Sequence, residues 1–320
     1  ESLNNNIMKK VNRRSFFSTT LKATAAASLP LSFSTNLPED VKSKPNLFAG
    51  KPGVIDTNVN LFDWPFRKLK YGETDALLAK LNKHRVEKAW AGSFEALFHK
   101  DINGVNERLA KECKQKGKGM LFPFGTVNLA WPDWEEDLRR CDEVYKMPGV
   151  RIYPIYQTFD PSHPDFEKLV AQVEKRKMIL QIVGDMDDSR NHHPIVLTRG
   201  ADMNPLVDII KKYPKVKIQM LYWTHKITGN LLERFIKETN VVFDTSRIEG
   251  AGAVGRLIEG NPWNGKKGIP LAAERILFGS HAPYFPVEAS FLKLMESPLT
   301  AEQANGILQG NANNFMNSSL

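Results

Sequence analysis

Two cysteines, Cys113 and Cys141, are all that 320 residues contain. Each lies on the apolar side of a helical pattern, so the pair reads as small core residues, and a disulfide framework is excluded. Glycine-rich phosphate signatures are also missing. The turn after the first apolar run is Asn58-Val59-Asn60-Leu61-Phe62-Asp63-Trp64, with no glycine to let backbone approach a pyrophosphate, which argues against an open nucleotide-binding sheet. Ser93, Ser246 and Ser280 each lack a Gly-x-Ser-x-Gly setting, so a serine hydrolase is not expected. No run of eighteen apolar residues follows residue 40, and no membrane span is expected. The charge of +8 is diffuse: residues 1–40 hold five basic and three acidic residues, and the remainder is +6. That excess forms Lys-rich helix faces rather than a basic stripe with aromatics, so no nucleic-acid partner is expected.

What is present is a repeating unit of short apolar run, polar loop and amphipathic helix. The runs are Val54-Ile55, Ala89 to Ala91, Met120 to Phe124, Val150 to Tyr153, Met178 to Val183, Val216 to Leu221, Val241 to Phe243 and Ile276 to Phe278. Eight is the number that closes a parallel barrel. Between them, Val105, Leu109 and Cys113, then Trp134, Leu138, Cys141 and Val144, then Phe166, Leu169, Val170 and Val173 make one-sided apolar stripes. Asp101, Pro132-Asp133 and Asn204-Pro205 are helix start signals, and Gly117 is a stop. The expected fold is α/β, a single distorted (β/α)8 barrel over residues 50–318.

Ahead of it, Met8-Lys9-Lys10 and Asn12-Arg13-Arg14-Ser15-Phe16-Phe17 precede an Ala-rich run to Phe33. This resembles a twin-arginine signal peptide, giving a leader over residues 1–40 and a bacterial periplasmic or exported location.

Ile55 to Asn60, Gly149 to Pro154, Leu180 to Ile182, Arg275 to Ser280 and Gly310 to Ala312 occur in an order that resembles the amidohydrolase-related family of the metal-dependent hydrolase superfamily. The likeness runs from about Gly53 to Met316. It implies a TIM barrel that hydrolyses amides or lactones or decarboxylates, with a divalent metal such as zinc, iron or manganese. The family's ligands are an HxH pair on the first strand, histidines ending the fifth and sixth, and an aspartate after the eighth. The matching positions here hold Asn58, Asn60, Val183, Leu221 and His281. The resemblance thus implies a fold and a pocket location, and no metal cofactor is expected at the usual ligand positions.

The catalytic candidates are His281, a base or acid at the end of the eighth strand, Arg151, which would hold a carboxylate or pair with Asp56 or Asp244, and Asn58 and Asn60, whose amides would stabilise an oxyanion. Trp64, Tyr153, Tyr156, Gln181, Tyr222, Trp223 and Tyr284 are expected to line a substrate pocket. A rebuilt metal site could draw on Asp185, Asp187 and His193, although Asp188 pairing with Arg190 explains the same loop without a metal. The expected function is a hydrolase or lyase acting on a small carboxylated, lactone or sugar-derived substrate. The alternative is a catalytically inactive barrel that binds a small ligand or a protein partner, and a homo-oligomer stays open.

Overall fold

The structure, a computed structural model, describes residues 53–318 apart from 189, 191, 197, 199 and 261–267; the expected leader lies outside the described residues. Each apolar run forms a strand: β1 Val54–Leu61, β2 Val86–Ser93, β3 Leu121–Gly125, β4 Gly149–Ile152, β5 Ile179–Val183, β6 Lys217–Leu221, β7 Val242–Asp244 and β8 Ile276–Leu277. All pair in parallel and in sequence order. The segment after β8 returns to β1 through Thr57 N to Phe278 O (2.8 Å), His281 N to Asn58 O (2.8 Å) and Asn60 N to Ala282 O (2.9 Å), so the (β/α)8 barrel is nearly closed.

The covering helices are α1 Thr74–Lys83, α2 Ile102–Lys116, α3 Trp134–Glu143, α4 Pro154–Gln157, α5 Phe166–Lys175, α6 Asn204–Lys212, α7 Gly229–Glu238, α8 Ala253–Ile258, α9 Val287–Met295, α10 Ala301–Asn305 and, after a π turn, α11 Asn311–Asn317. Their stripes pack on the outward faces of the strands, Leu138 and Cys141 meeting Val150 and Ile152 in one core. Each such large apolar side chain contributes about 2 kcal/mol by leaving water. Asp101 caps α2 by accepting from Gly104 N at 2.9 Å. The stripe of α3 ends at Cys141, because Val144 is the residue beyond the helix and is exposed. No helix among the described residues is long and apolar enough to cross a membrane.

Inside the barrel the side chains form layers, as closed eight-stranded barrels require. The floor is apolar: Ile55, Trp90, Phe124, Ile179 and Leu277 pack with Ala312 of α11. Asn311 ties α11 down, its amide donating to Ala273 O (2.8 Å) and Ile276 O (2.9 Å). The middle layer is polar and fully buried. Arg151 Nε donates to Gln181 Oε1 (2.8 Å), Gln181 Nε2 to Gln219 Oε1 (2.8 Å), Gln219 Nε2 to Thr57 Oγ1 (2.7 Å), and Thr57 Oγ1 to Phe278 O (2.9 Å). A chain of donors each meeting an acceptor removes most of the cost of burying amides. An irregularity in β1 between Asp56 and Val59 lets Thr57 and Asn58, adjacent in sequence, both serve the interior.

Candidate functional site

Above the polar layer stand the residues that end the strands. Gln219 of β6 faces in and Met220 packs outside, so regular alternation would turn Tyr222 outward. Its φ of 51° reverses that direction. His281, four residues beyond β8, has φ 61° and also points in. The two meet: Tyr222 Oη lies 2.6 Å from His281 Nδ1.

The hydrogen-bond pattern assigns the protons. Tyr222 Oη is also 2.6 Å from Asn58 Oδ1, which can only accept, so the phenol proton goes to Asn58. Asn58 is held in that orientation by its Nδ2 donating to Asp244 Oδ2 at 2.7 Å. Asp244 Oδ1 accepts from Tyr222 N at 3.1 Å. His281 Nδ1 therefore carries a proton toward Tyr222 Oη, with the Asn60 amide 3.4 Å from the same nitrogen, and the lone pair is on Nε2. That atom is buried with no well-formed hydrogen bond, and the Met186 backbone beside the ring favours its protonated form.

Burial holds the His281 imidazole well below its usual range, with the charges of Arg151 and Arg247 acting in the same direction. The ring is neutral near pH 7 and its Nε2 is a base. Burial raises Asp244, while the Ser246 hydroxyl and the Asn58 amide favour its charged form. Asp56 is pushed up to about 7, again by burial, although its Oδ1 accepts from Asn58 N (3.1 Å) and Ser280 N (3.0 Å).

Arg151 is fully buried and meets no carboxylate. Besides Gln181, its Nη1 donates to Asn60 Oδ1 (2.9 Å) and Val59 O (3.1 Å), and its Nη2 to Trp90 O (3.2 Å). The expected pairing with Asp56 or Asp244 does not occur, and the guanidinium is occupied by neutral oxygens rather than open to a substrate carboxylate. Asn60 gives its amide hydrogen to Tyr222 Oη at 3.3 Å. Asn58 and Asn60, expected as oxyanion donors, thus spend their N–H groups on Asp244 and Tyr222 and position the His281–Tyr222 pair.

The mouth is aromatic. Tyr284 stacks on His281 (4.7 Å, 16°) and meets Trp64 edge-on (5.2 Å), while the Arg67 guanidinium lies over its outer face (4.5 Å). A cavity of about 310 Å³ above it is lined by Trp64, Phe66, Asp187, His192, Tyr284 and Phe285, among others. Tyr153 and Tyr156 belong to the same buried cluster. Tyr153 Oη donates to Ser93 O at 3.4 Å, whereas Tyr156 Oη has no partner. Gln181 lies one layer lower. Trp223 is displaced from the expected pocket: its Nε1 donates to Asp244 O (3.0 Å) and its ring packs on Phe243 (4.8 Å) in the outer core.

Asp185, Asp187 and His193 are not gathered as ligands. His193 stacks on Phe66 (4.9 Å), Asp187 engages Tyr284, and Asp188 pairs with Arg190. Among the described residues no three His, Cys, Asp or Glu side chains are placed to hold a metal ion. Phe94 packs against Trp64 and Tyr284, and Arg247 bonds the Asp185 carbonyl; Arg247 stands out in no sequence motif, because a loop decides its direction.

An eight-stranded parallel barrel with polar and aromatic groups at the carboxyl ends of its strands is a TIM-barrel architecture. The amidohydrolase family model matches residues 60–220, and the chain belongs to that family. Comparison with curated proteins finds no match. Among solved structures, 5-carboxyvanillate decarboxylase from Sphingomonas paucimobilis is 13% identical with TM-score 0.63, covering 83% of this chain and 99% of that one. The 2,6-dihydroxybenzoate decarboxylase from Rhizobium is 15% identical with TM-score 0.61, covering 83% and 99%. A dihydroxybenzoic acid decarboxylase from a Polaromonas species, solved with manganese and 2-nitroresorcinol, is 13% identical with TM-score 0.59, covering 83% and 97%. At these identities the likeness shows the fold.

Manganese in such a relative raises the question of whether a divalent ion fits here. On β1 the oxygens of Asn58 and Asn60 already accept from Tyr222 and Arg151, and the guanidinium stands 2.9 Å from Asn60 Oδ1. A dication would be placed against a fixed cation and four amide N–H donors. The residues at this position do not fit the metal.

Proposed function

We propose that the chain is a hydrolase or lyase that takes a small carboxylated, lactone or sugar-derived substrate into the aromatic mouth, with His281 Nε2 as its base. One observation carries this reading. The chain Asp244–Asn58–Tyr222–His281 orients the Nδ1–H tautomer and leaves Nε2 buried with no well-formed hydrogen bond, beside the Met186 backbone. A neutral imidazole with a directed lone pair suits proton abstraction from water or from a substrate hydroxyl. Arg151, one layer below, supplies a fixed positive field that favours negative charge developing above it. The decarboxylases that share the fold act on carboxylated aromatic rings, which supports the carboxylated class among the candidates.

The test is turnover across a panel of carboxylated aromatics, lactones and sugar acids, with His281→Gln alongside. The variant should lose at least about a hundredfold in rate. Turnover at the wild-type rate removes His281 from the mechanism. A second reading, a barrel that binds a ligand without converting it, is favoured by the Tyr284 ring lying across the imidazole. It predicts saturable binding and no product anywhere in the panel. The twin-arginine-like stretch supports export to a bacterial periplasm, to be checked by fusing residues 1–40 to a reporter that matures only after export.

A further inference from the structure

Buried polar side-chain atoms in folded proteins nearly all have hydrogen-bond partners, so those without one ask for an explanation. Among the described residues six such atoms occur, and four belong to residues linked to the segment after β5: Tyr156 Oη, His192 Nε2, Arg247 Nε and His281 Nε2. The links run through Asp185, Met186 and His192. Arg247 Nη1 donates to Asp185 O at 2.7 Å, the Met186 backbone lies beside His281, and the Tyr156 ring is 6.4 Å from that of His192. His192 and Tyr284 also line the 310 Å³ cavity, which connects this group to the mouth.

Arg247 follows β7 by three residues, and its burial is nearly complete, with 6% of its surface exposed. The protein holds the outer edge of the guanidinium: Nη1 on the Asp185 carbonyl, Nη2 on His225 Nε2 at 3.1 Å, and Glu249 3.8 Å from Nη2. The Nε–H is left with no acceptor. Tyr156, 8% exposed, presents a second donor with no acceptor. The charge of Arg247 acts on Tyr156, Tyr284 and His281, so it belongs to the same electrostatic environment as the base.

Resting on the function proposed above, we infer that Arg247 Nε–H and Tyr156 Oη–H form the subsite for one carboxylate group of a planar ligand whose ring packs against Tyr284 and Trp64. Two buried donors without acceptors, one of them charged, offer one hydrogen bond to each oxygen of a carboxylate. A phosphate dianion fits less well, since two donors would leave its remaining oxygens without partners. The assignment also gives the carboxylate a different holder from Arg151, whose N–H groups are taken by Gln181, Asn60, Val59 and Trp90.

The probe is benzoate, titrated calorimetrically into the full chain, with benzamide as its neutral counterpart. Wild-type protein should bind benzoate saturably and benzamide at least about tenfold more weakly. Arg247→Met should weaken benzoate by about tenfold or more and Tyr156→Phe by several-fold. Tyr156→Phe removes a single oxygen and keeps the test open if Arg247→Met fails to fold. Wild-type affinity in both Arg247→Met and Tyr156→Phe, or no wild-type binding of benzoate up to millimolar concentration, overturns the subsite. Arg247-dependent benzoate binding with no turnover in the panel would sink the catalytic reading and leave the subsite standing. Loss of turnover in His281→Gln with benzoate binding independent of Arg247 would do the reverse.

Discussion

Tyr222 Oη and His281 Nδ1 are 2.6 Å apart, and both residues hold left-handed backbone, φ 51° and 61°. A non-glycine residue in that region costs of order 1 kcal/mol, and such strain collects where a structure over-determines a functional geometry. Here the two strained residues end β6 and β8 and bond to each other, so each helps hold the conformation of its partner.

Removing the phenol oxygen should therefore be felt by three partners. Tyr222→Phe leaves His281 Nδ1–H and the Asn60 amide N–H without this acceptor and Asn58 Oδ1 without its donor, at about 1–3 kcal/mol per stranded buried group. The urea midpoint should fall accordingly. Turnover, where a substrate is found, should fall nearly as far as in His281→Gln, because the tautomer is no longer fixed. An unchanged midpoint would contradict the proton assignment.

Gly92 makes room for Arg151. A Cβ at that position would lie 2.7 Å from Nη1 and 2.9 Å from Cζ of the guanidinium, which four neutral acceptors hold in place. Gly92→Ala should cost about 1–3 kcal/mol by overpacking, read from chemical denaturation. Gly119, where an added Cβ meets nothing, is the natural comparison, although its φ of 81° carries its own strain on substitution.

Asp56 gives a pH signature of definite sign. Its folded value near 7 lies above the ordinary carboxyl value of 3.8, so across that window the native state binds a proton that the unfolded chain releases. This contribution is fully present below about pH 4 and is lost as pH rises through 7. Asp56→Asn keeps an oxygen for Asn58 N and Ser280 N but cannot ionise. The difference in unfolding free energy between variant and wild type should shift in favour of the variant from pH 5 to pH 8, and a difference that is flat with pH would refute the shift.

Tyr284 covers His281 on the side that faces the mouth cavity. Tyr284→Ala should expose Nε2 to diethyl pyrocarbonate, and peptide mass mapping should show His281 modified at least about tenfold faster than in wild type. Equal rates would mean that the imidazole is reached by another route.

The strands were legible because side chains of a closed parallel barrel are buried on both faces, and β-branched or aromatic runs such as Ile179 to Val183 record that directly. The helix stripes were legible for the corresponding reason, one buried face per turn. The mouth was harder to read. Trp64 and Trp223 both follow strands, yet only Trp64 enters the mouth, because the positive φ at Tyr222 turns that tyrosine inward and sends Trp223 to the outer core. Arg151 and Gln181, opposite each other on the neighbouring strands β4 and β5, face inward, but their partners include amides and carbonyls contributed by β1, β2 and β6, which no local pattern reveals. Arg247 sits in a loop whose direction is set by tertiary contacts, the Asp185 carbonyl among them.

The floor of the barrel carries a consequence for the order of synthesis. Every strand has been synthesised once β8 is made, but Ala312, Phe315 and Met316, which close the lower end, come about thirty-five residues later. Until then Ile55, Phe124 and Ile179 face water at the open end, and Lys217 lacks the Met316 carbonyl that its ammonium finally meets at 3.0 Å. A nascent chain can align all eight strands and still have an unsealed base. Completion of the barrel is thus a late event that waits for α11, and during that interval the growing chain exposes an apolar surface that the finished protein hides.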